Sequence, residues 1–242
     1  MADALPLAEK LAAQGHDILI SPVIHIEPTE AVLPPPQGIA CLALTSANGV
    51  RALAARLQDK QLRADWLAKP AFAVGPQTAA ALQAFGWPDI HIAGGDVEAL
   101  ATSIIAHNAG NNAAPDNKDS GTVLHIAGRH QAGNLQAALE TAGLAYEKAV
   151  LYQASPADGL STAAEMALTE PDEPLDAVLV YSQRSAKLFA EFYAALANAH
   201  AKPTIFCLSE AVADPLRARG FACRIAATAD EAGMLALTAN TS

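Results

Sequence analysis

The chain has 242 residues, with 15 Lys and Arg against 25 Asp and Glu, a net charge of −10 and a pI near 5.0, a balance that argues against a protein tracking nucleic-acid phosphates. Apolar residues make up 52% and charged residues 17%, which excludes the composition of a disordered chain and leaves a globular fold of one large or two smaller domains. No apolar run reaches the roughly 18 residues of a membrane span, so the expectation is a cytoplasmic protein without a membrane or nucleic-acid partner.

In chain order, MADALPLAEKLAAQGHD has the period of an amphipathic helix and lacks the basic start and apolar stretch of an export signal. Then GIACLALT leads into ANGVRALAARLQD, AFAVG into PQTAAALQAFG, and DIHIAG into DVEALATSIIAH. Short apolar runs alternating with helical periods, with Gly or Pro at the joints, are the pattern of parallel sheets covered by helices. The expected fold class is α/β. Residues 107–121, HNAGNNAAPDNKDSG, are polar and aperiodic and read as a surface loop. Cys41, Cys207 and Cys223 each sit in a strand-like run, widely spaced, which predicts free buried thiols. The seven His show no HExxH or paired ligand spacing, so no metal is expected.

Self-comparison shows two copies of one α/β unit. Pro70 aligns with Pro203; then, after one extra residue, Ala79 aligns with Ala213, Leu82 with Leu216, Gly86 with Gly220 and Asp96 with Asp230, each of these pairs 134 positions apart. LALTSANGVRALA matches VLVYSQRSAKLFA, with Ser46 over Ser182, 136 apart. The first helix also has a match: Leu11 pairs with Leu139 and Gly15 with Gly143, 128 apart. The strand TVLHIAG, residues 122–128, directly precedes the later of these helices, and its counterpart would fall before Met1. The N-terminal copy is therefore expected to lack its first strand, which in a wound parallel sheet is buried on both faces.

The repeat predicts residues 1–24 plus 154–242 as one discontinuous α/β domain and 25–153 as an inserted one. ISPVIHIEP and AVLYQASP carry the chain across as a two-stranded connector. A cleft between two similar domains is expected, a preferred place for small molecules.

Several turns carry polar groups suited to anions. LTSANGV puts Ser46 and Asn48 at a strand end and first helical turn, where free N–H groups and the helix dipole attract negative charge; a plain helix cap uses the same residues. Gly75 and Thr78 in VGPQTA have the same ambiguity. AGRHQAGN offers Gly128, Arg129 and His130, Arg129 being able to fork onto a carboxylate or simply to start a helix. YSQRSA repeats the first turn with Ser182, Arg184 and Ser185. Tyr152 lies on the second connector strand, where its phenol could donate a proton or merely meet water. His25 lies on the first connector strand, and His125 reads as a satisfied core histidine. GxGxxG and GxxxxGK[ST] are absent, so no nucleotide cofactor is expected.

Taken in order, LTSANGV, AVGPQTAAAL, DVEALA, VLHIAGRH, LETAGLAYEKAVLYQA and YSQRSA resemble the uroporphyrinogen-III synthase family over nearly the whole chain. The resemblance implies two similar Rossmann/flavodoxin-like domains with parallel sheets, joined by a two-stranded β connector. It implies a lyase that closes the linear tetrapyrrole hydroxymethylbilane with loss of water and inversion of the last ring, without a cofactor, the chain being a monomer. Tyr152 would assist departure of the hydroxyl. Ser46, Asn48, Gly75, Thr78, Gly128, Arg129, Ser182, Arg184 and Ser185 match turns that would hold the acetate and propionate groups. Where the family has a second Gly-x-x-Thr-Ala turn this chain reads Ser209-Glu210-Ala211-Val212-Ala213, leaving Ser209 as the substrate-binding candidate there. The residues alone also fit a non-catalytic two-domain module closing on a small anion, or an inactive relative.

Overall fold

The computed structural model describes residues 4–111, 121–129, 133–170, 175–199 and 202–239. The chain divides into two units, one formed by Met1–His25 and Ser155–Ser242, the other by Ile26–Ala154. They are called unit 1 and unit 2 below. The chain passes between them along β1 (Ile24–Pro28) and β6 (Tyr146–Pro156), which are neighbours in one sheet.

Unit 2 is built on β2 (Ile39–Leu44), β3 (Ala71–Ala73), β4 (Ile90–Ile92) and β5 (Thr122–Gly128) together with β1 and β6, in the order β1-β6-β5-β2-β3-β4. β2–β3, β3–β4, β2–β5 and β5–β6 all pair in parallel. Because helices cover both faces, the central strands are apolar throughout, and Leu42, Ala43, Leu44, Leu124 and Ala127 have no accessible surface. One face packs on α2 (Ala47–Arg56), α3 (Lys60–Leu67) and α4 (Pro76–Phe85), where Leu53, Trp66 and Leu82 are fully buried. The other packs on α5 (Val97–Asn111) and α6 (Leu135–Thr141), through Leu100, Ile104 and Leu139.

The α/β reading of the sequence holds, with one local correction. The sequence predicts loop over 107–121, whereas α5 runs on to Asn111. Leu100, Ile104 and Asn108 fall on one buried helical stripe, and the Asn108 side-chain amide donates to the Ile104 carbonyl at 2.9 Å. A polar residue thus continues a buried face by bonding to its own helix. Residues 112–120 lie outside the described residues.

Unit 1 contains α1 (Leu5–Ala13), α7 (Thr162–Thr169), β7 (Ala177–Val180), α8 (Gln183–Ala195), β8 (Thr204–Cys207), α9 (Glu210–Arg217), β9 (Cys223–Ile225) and α10 (Glu231–Thr238). Its three strands pair in parallel in the order β7-β8-β9. The repeat read from the sequence reappears as repeated local geometry. Gly86 and Gly220 both take positive φ, +94° and +77°, and the next amide in each case, Trp87 or Phe221, donates back to Leu82 or Leu216. Gly15 and Gly143 do the same, with His16 bonding to Leu11 and Leu144 to Leu139. Each is a left-handed helix stop that any Cβ would strain. Asp96 and Asp230 each accept from the amide three residues on, at 2.7 and 2.8 Å.

All three cysteines are free; Cys41 and Cys207 are buried, but Cys223 is only half-buried, at the short outer strand β9. Burial pushes the Cys41 thiol up to about 12. Among the described residues no helix is long and apolar enough to cross a membrane.

Candidate active site

Parallel strand order brings the C-terminal ends of β2, β3 and β5 to one edge of the unit 2 sheet, the edge at which helix N-termini present free amides. A groove of about 540 Å³ lies there, and Ser46, Asp96, Glu98, His125 and Tyr152 are among its walls. Two of the sequence candidates, Ser46 and Tyr152, are thus brought together.

Tyr152 stands near the end of β6. A register shift between Ala127 and Gly128 sets Gly128 opposite Tyr152, and the Arg129 amide donates to the Tyr152 carbonyl at 3.0 Å. The ring lies directly on the backbone of β5: a Cβ at Gly128 would come within 2.8 Å of two ring carbons, and one at Gly49 within 3.7 Å of a third. Gly128 therefore acts by having no side chain. The phenol itself is half-buried at the groove.

Ser46 has extended backbone and caps α2, its Oγ accepting from the Asn48 amide at 3.1 Å. That bond uses a lone pair, and the hydroxyl proton stays available to a ligand. Asn48 Oδ1 accepts from Arg51 at 2.7 Å. Gly75 is the residue before α4, and Thr78 is buried within that helix at 3% exposure; neither lines the groove. Arg129 is exposed at the end of β5, and His130 lies outside the described residues.

In unit 1, Ser182 caps α8. Its Oγ accepts from the Ser185 amide at 3.0 Å, and the two hydroxyls lie 2.8 Å apart. Arg184 is exposed on the first turn. Ser209 stands at the start of α9 without a side-chain cap bond, and Glu210 beside it is paired with Arg217.

Three ionisable groove residues, Asp96, Glu98 and His125, are not among the sequence candidates. Asp96 and Glu98 open α5, where negative charge suits the helix dipole. His125, which the sequence reads as a satisfied core histidine, is only half so: Nδ1 lies 2.9 Å from the Tyr146 hydroxyl, but the buried Nε2 has no partner among the described residues. Burial, with a smaller push from Lys148, lowers its pKa to about 4, so the ring is neutral near pH 7. The Tyr146 hydroxyl is raised to about 12, chiefly by burial, and stays protonated. Among the described residues no group of three His, Cys, Asp or Glu is arranged to hold a metal ion.

The family model described as uroporphyrinogen-III synthase HemD matches residues 6–236. No curated protein matches the chain. The chain is similar in structure to a uroporphyrinogen-III synthetase from Helicobacter pylori, with a TM-score of 0.64 at 20% identity over 94% of this chain and 97% of that one. A mutant uroporphyrinogen III synthase from the extremely thermophilic bacterium Thermus thermophilus has a TM-score of 0.48 at 20% identity, over 98% of this chain and 92% of that one. The family match spans nearly every element described above, and on that ground the chain belongs to the uroporphyrinogen-III synthase family, the tetrapyrrole-cyclising enzymes of tetrapyrrole biosynthesis.

Proposed function

We propose that this chain is a monomeric, cytoplasmic lyase that closes hydroxymethylbilane into uroporphyrinogen III, and that Tyr152 is its proton donor. The observation that carries the assignment of Tyr152 is its half-buried phenol at the groove on the ligand-binding edge of the unit 2 sheet, held against Gly128. The phenol protonates the hydroxyl of the substrate, which leaves as water while a pyrrole nitrogen donates its electron pair to form the azafulvene. The substituted carbon of the last ring attacks this centre to give a spiro intermediate, which reopens and recloses with that ring inverted. The final loss of a proton from carbon restores the aromatic pyrrole and reprotonates the phenolate. No redox partner is needed, so the work of the protein is positioning and electrostatics.

Charge at the groove supports the same division of labour. The azafulvene is cationic when first formed, and the carboxylates of Asp96 and Glu98 on the groove wall favour positive charge. The substrate's acetates and propionates are repelled by the same two groups. They are better served by the Ser46 hydroxyl, by the side-chain amide of Asn48, and by exposed Arg129, with Ser182, Arg184, Ser185 and Ser209 as the corresponding donors of unit 1. Gly75 and Thr78 act through the shape of the α4 start rather than by direct contact.

The test is turnover of freshly made hydroxymethylbilane, with the product isomers separated. Formation of isomer III above the spontaneous isomer I supports the assignment, and isomer I alone refutes it. Tyr152→Phe should slow turnover by about 10²-fold or more, the scale of one lost general acid, with the melting temperature unchanged. An unaltered rate removes Tyr152 from the mechanism.

A further inference from the structure

β5 lies between β6 and β2 within the unit 2 sheet, and its side chains alternate between the two helical layers. Leu124 and Ile126 pack with residues of α2 and α4, whereas Val123 packs with Leu100 of α5 and Leu139 of α6. His125, two residues on, falls on that second face, and at 3% exposure its ring is as buried as its apolar neighbours. A central parallel strand is where an apolar side chain is expected. A valine or leucine would pack there with no polar group to satisfy.

The two ring nitrogens have different settings. Nδ1 lies 2.9 Å from the Tyr146 hydroxyl, and Tyr146 is not a wall of the groove, whereas His125 is. The edge carrying Nδ1 is thus engaged with β6, and the opposite edge, carrying Nε2, is the one presented to the groove. Among the described residues Nε2 has no partner. The bond to Tyr146 decides which nitrogen holds the proton. The phenol is the acid of that pair and the imidazole the base, so the hydroxyl donates to Nδ1 and the single ring proton sits on Nε2. An uncharged N–H is left at the groove, and a buried donor without an acceptor is destabilising until a ligand supplies one.

The neighbouring walls narrow the choice of acceptor. Asp96 and Glu98 stand at the same groove and oppose a carboxylate. The substrate of the proposed reaction carries one oxygen outside its carboxylates, that of the hydroxymethyl group. Tyr152, the proposed proton donor to that oxygen, is a wall of the same groove. A hydroxyl oxygen has two lone pairs, enough for two donors.

We infer that the Nε2–H of His125 is the second hydrogen-bond donor to the hydroxymethyl oxygen of the substrate. The inference rests on the proposed function and adds a substrate-contacting residue to it. When the carbon–oxygen bond breaks, its electron pair stays on the oxygen and the phenol proton completes the water, while the pyrrole nitrogen supplies the pair that fills the carbon. The imidazole gives up no proton; it orients the leaving group and holds the departing water.

The experiment has a kinetic arm and a spectroscopic arm, both on the full chain. His125→Phe keeps a ring but has no donor, and should raise KM about tenfold, the worth of one hydrogen bond, whereas Tyr152→Phe acts on kcat. His125→Gln places an amide N–H near the Nε2 position and should recover most of that loss. Equal KM values for the two variants overturn the inference, since a merely structural ring would not distinguish them. Long-range proton–nitrogen spectra of the chain carrying nitrogen-labelled histidine, assigned by the signal lost in His125→Gln, should show Nε2 protonated and Nδ1 bare; the reverse tautomer overturns the inference. Hydroxymethylpyrrole, which has no carboxylate, should move the Nε2 resonance at millimolar concentration, and a pyrrole bearing acetate and propionate but no hydroxymethyl group should not. Equal or larger movement with the acidic pyrrole assigns the donor to a carboxylate, and no movement with either leaves Nε2 without a ligand; each is contrary. Movement with hydroxymethylpyrrole in a chain that forms only isomer I supports the contact and refutes the catalytic assignment alone.

Discussion

The two units use one strand–helix repeat, yet β2 and β7, its corresponding strands, are in different surroundings. β2 is flanked by β5 and β3, and Leu42, Ala43 and Leu44 are fully buried. Among the described residues β7 has a strand, β8, on one edge only, and Ala177, Val178 and Leu179 remain half-buried. Serine caps and left-handed glycines nevertheless recur at corresponding positions in both units, Ser46 accepting from the amide two residues on and Ser182 from the amide three residues on. Local geometry is thus set by a few adjacent residues and survives in either setting. Burial of a central strand is a non-local property that depends on neighbours on both sides.

This contrast can be broken most decisively at the paired leucines. Leu139 has no accessible surface and is packed between α6 and a closed sheet, while Leu11, its repeat partner, borders an open apolar groove of unit 1 lined by α1 and β7. Leu139→Ala should cost about 4 kcal/mol and Leu11→Ala about 2 kcal/mol, within the usual range for core truncations, as read by urea unfolding. Equal costs would mean that the groove leaves no slack around α1.

A smaller effect belongs to unit 2 alone, since His125 sits on the strand that has no counterpart among the described residues of unit 1. Its pKa is near 6.5 when unfolded and about 4 when folded. Between those values the unfolded chain takes up a proton that the folded one refuses, so stability is full above pH 6.5 and falls as pH drops toward 4, by up to about 3 kcal/mol. His125→Gln should flatten that part of the stability–pH profile. An unchanged profile would show that other groups carry it.

The smallest prediction sharpens the likeness rather than the difference. Ser46→Ala and Ser182→Ala each remove a serine helix cap and should each cost about 1 kcal/mol in chemical denaturation. Costs differing by more than about twofold would mean that the open edge of β7 also weakens α8.

The features legible in the sequence are those set within a turn or two. The glycines at 15, 86, 143 and 220, the capping serines and aspartates and the alternation of strands with helices are all readable, because each depends on neighbours in sequence. The extension of α5 through Asn108 is not, because polarity hides a side chain that bonds its own helix. The site is legible only in part. Ser46 and Tyr152 can be singled out by their places on strand ends, but the seating of Tyr152 on Gly128 needs a register shift that composition does not encode. The placement of the buried His125 ring, and its meeting with Asp96 and Glu98 at one groove, depend on strands and loops distant in the chain.

The contact between Tyr152 and the bare backbone of Gly128 has a further consequence. A tyrosine held between flexible side chains keeps several orientations, and a ligand must select among them. Here the ring is confined by main chain that is itself fixed by the sheet, so its rotational entropy is already lost on folding. Any molecule that docks against the phenol meets a donor whose direction is settled before binding, and the penalty for ordering that side chain, about 0.5–1.5 kcal/mol for a mobile one, does not fall on the complex.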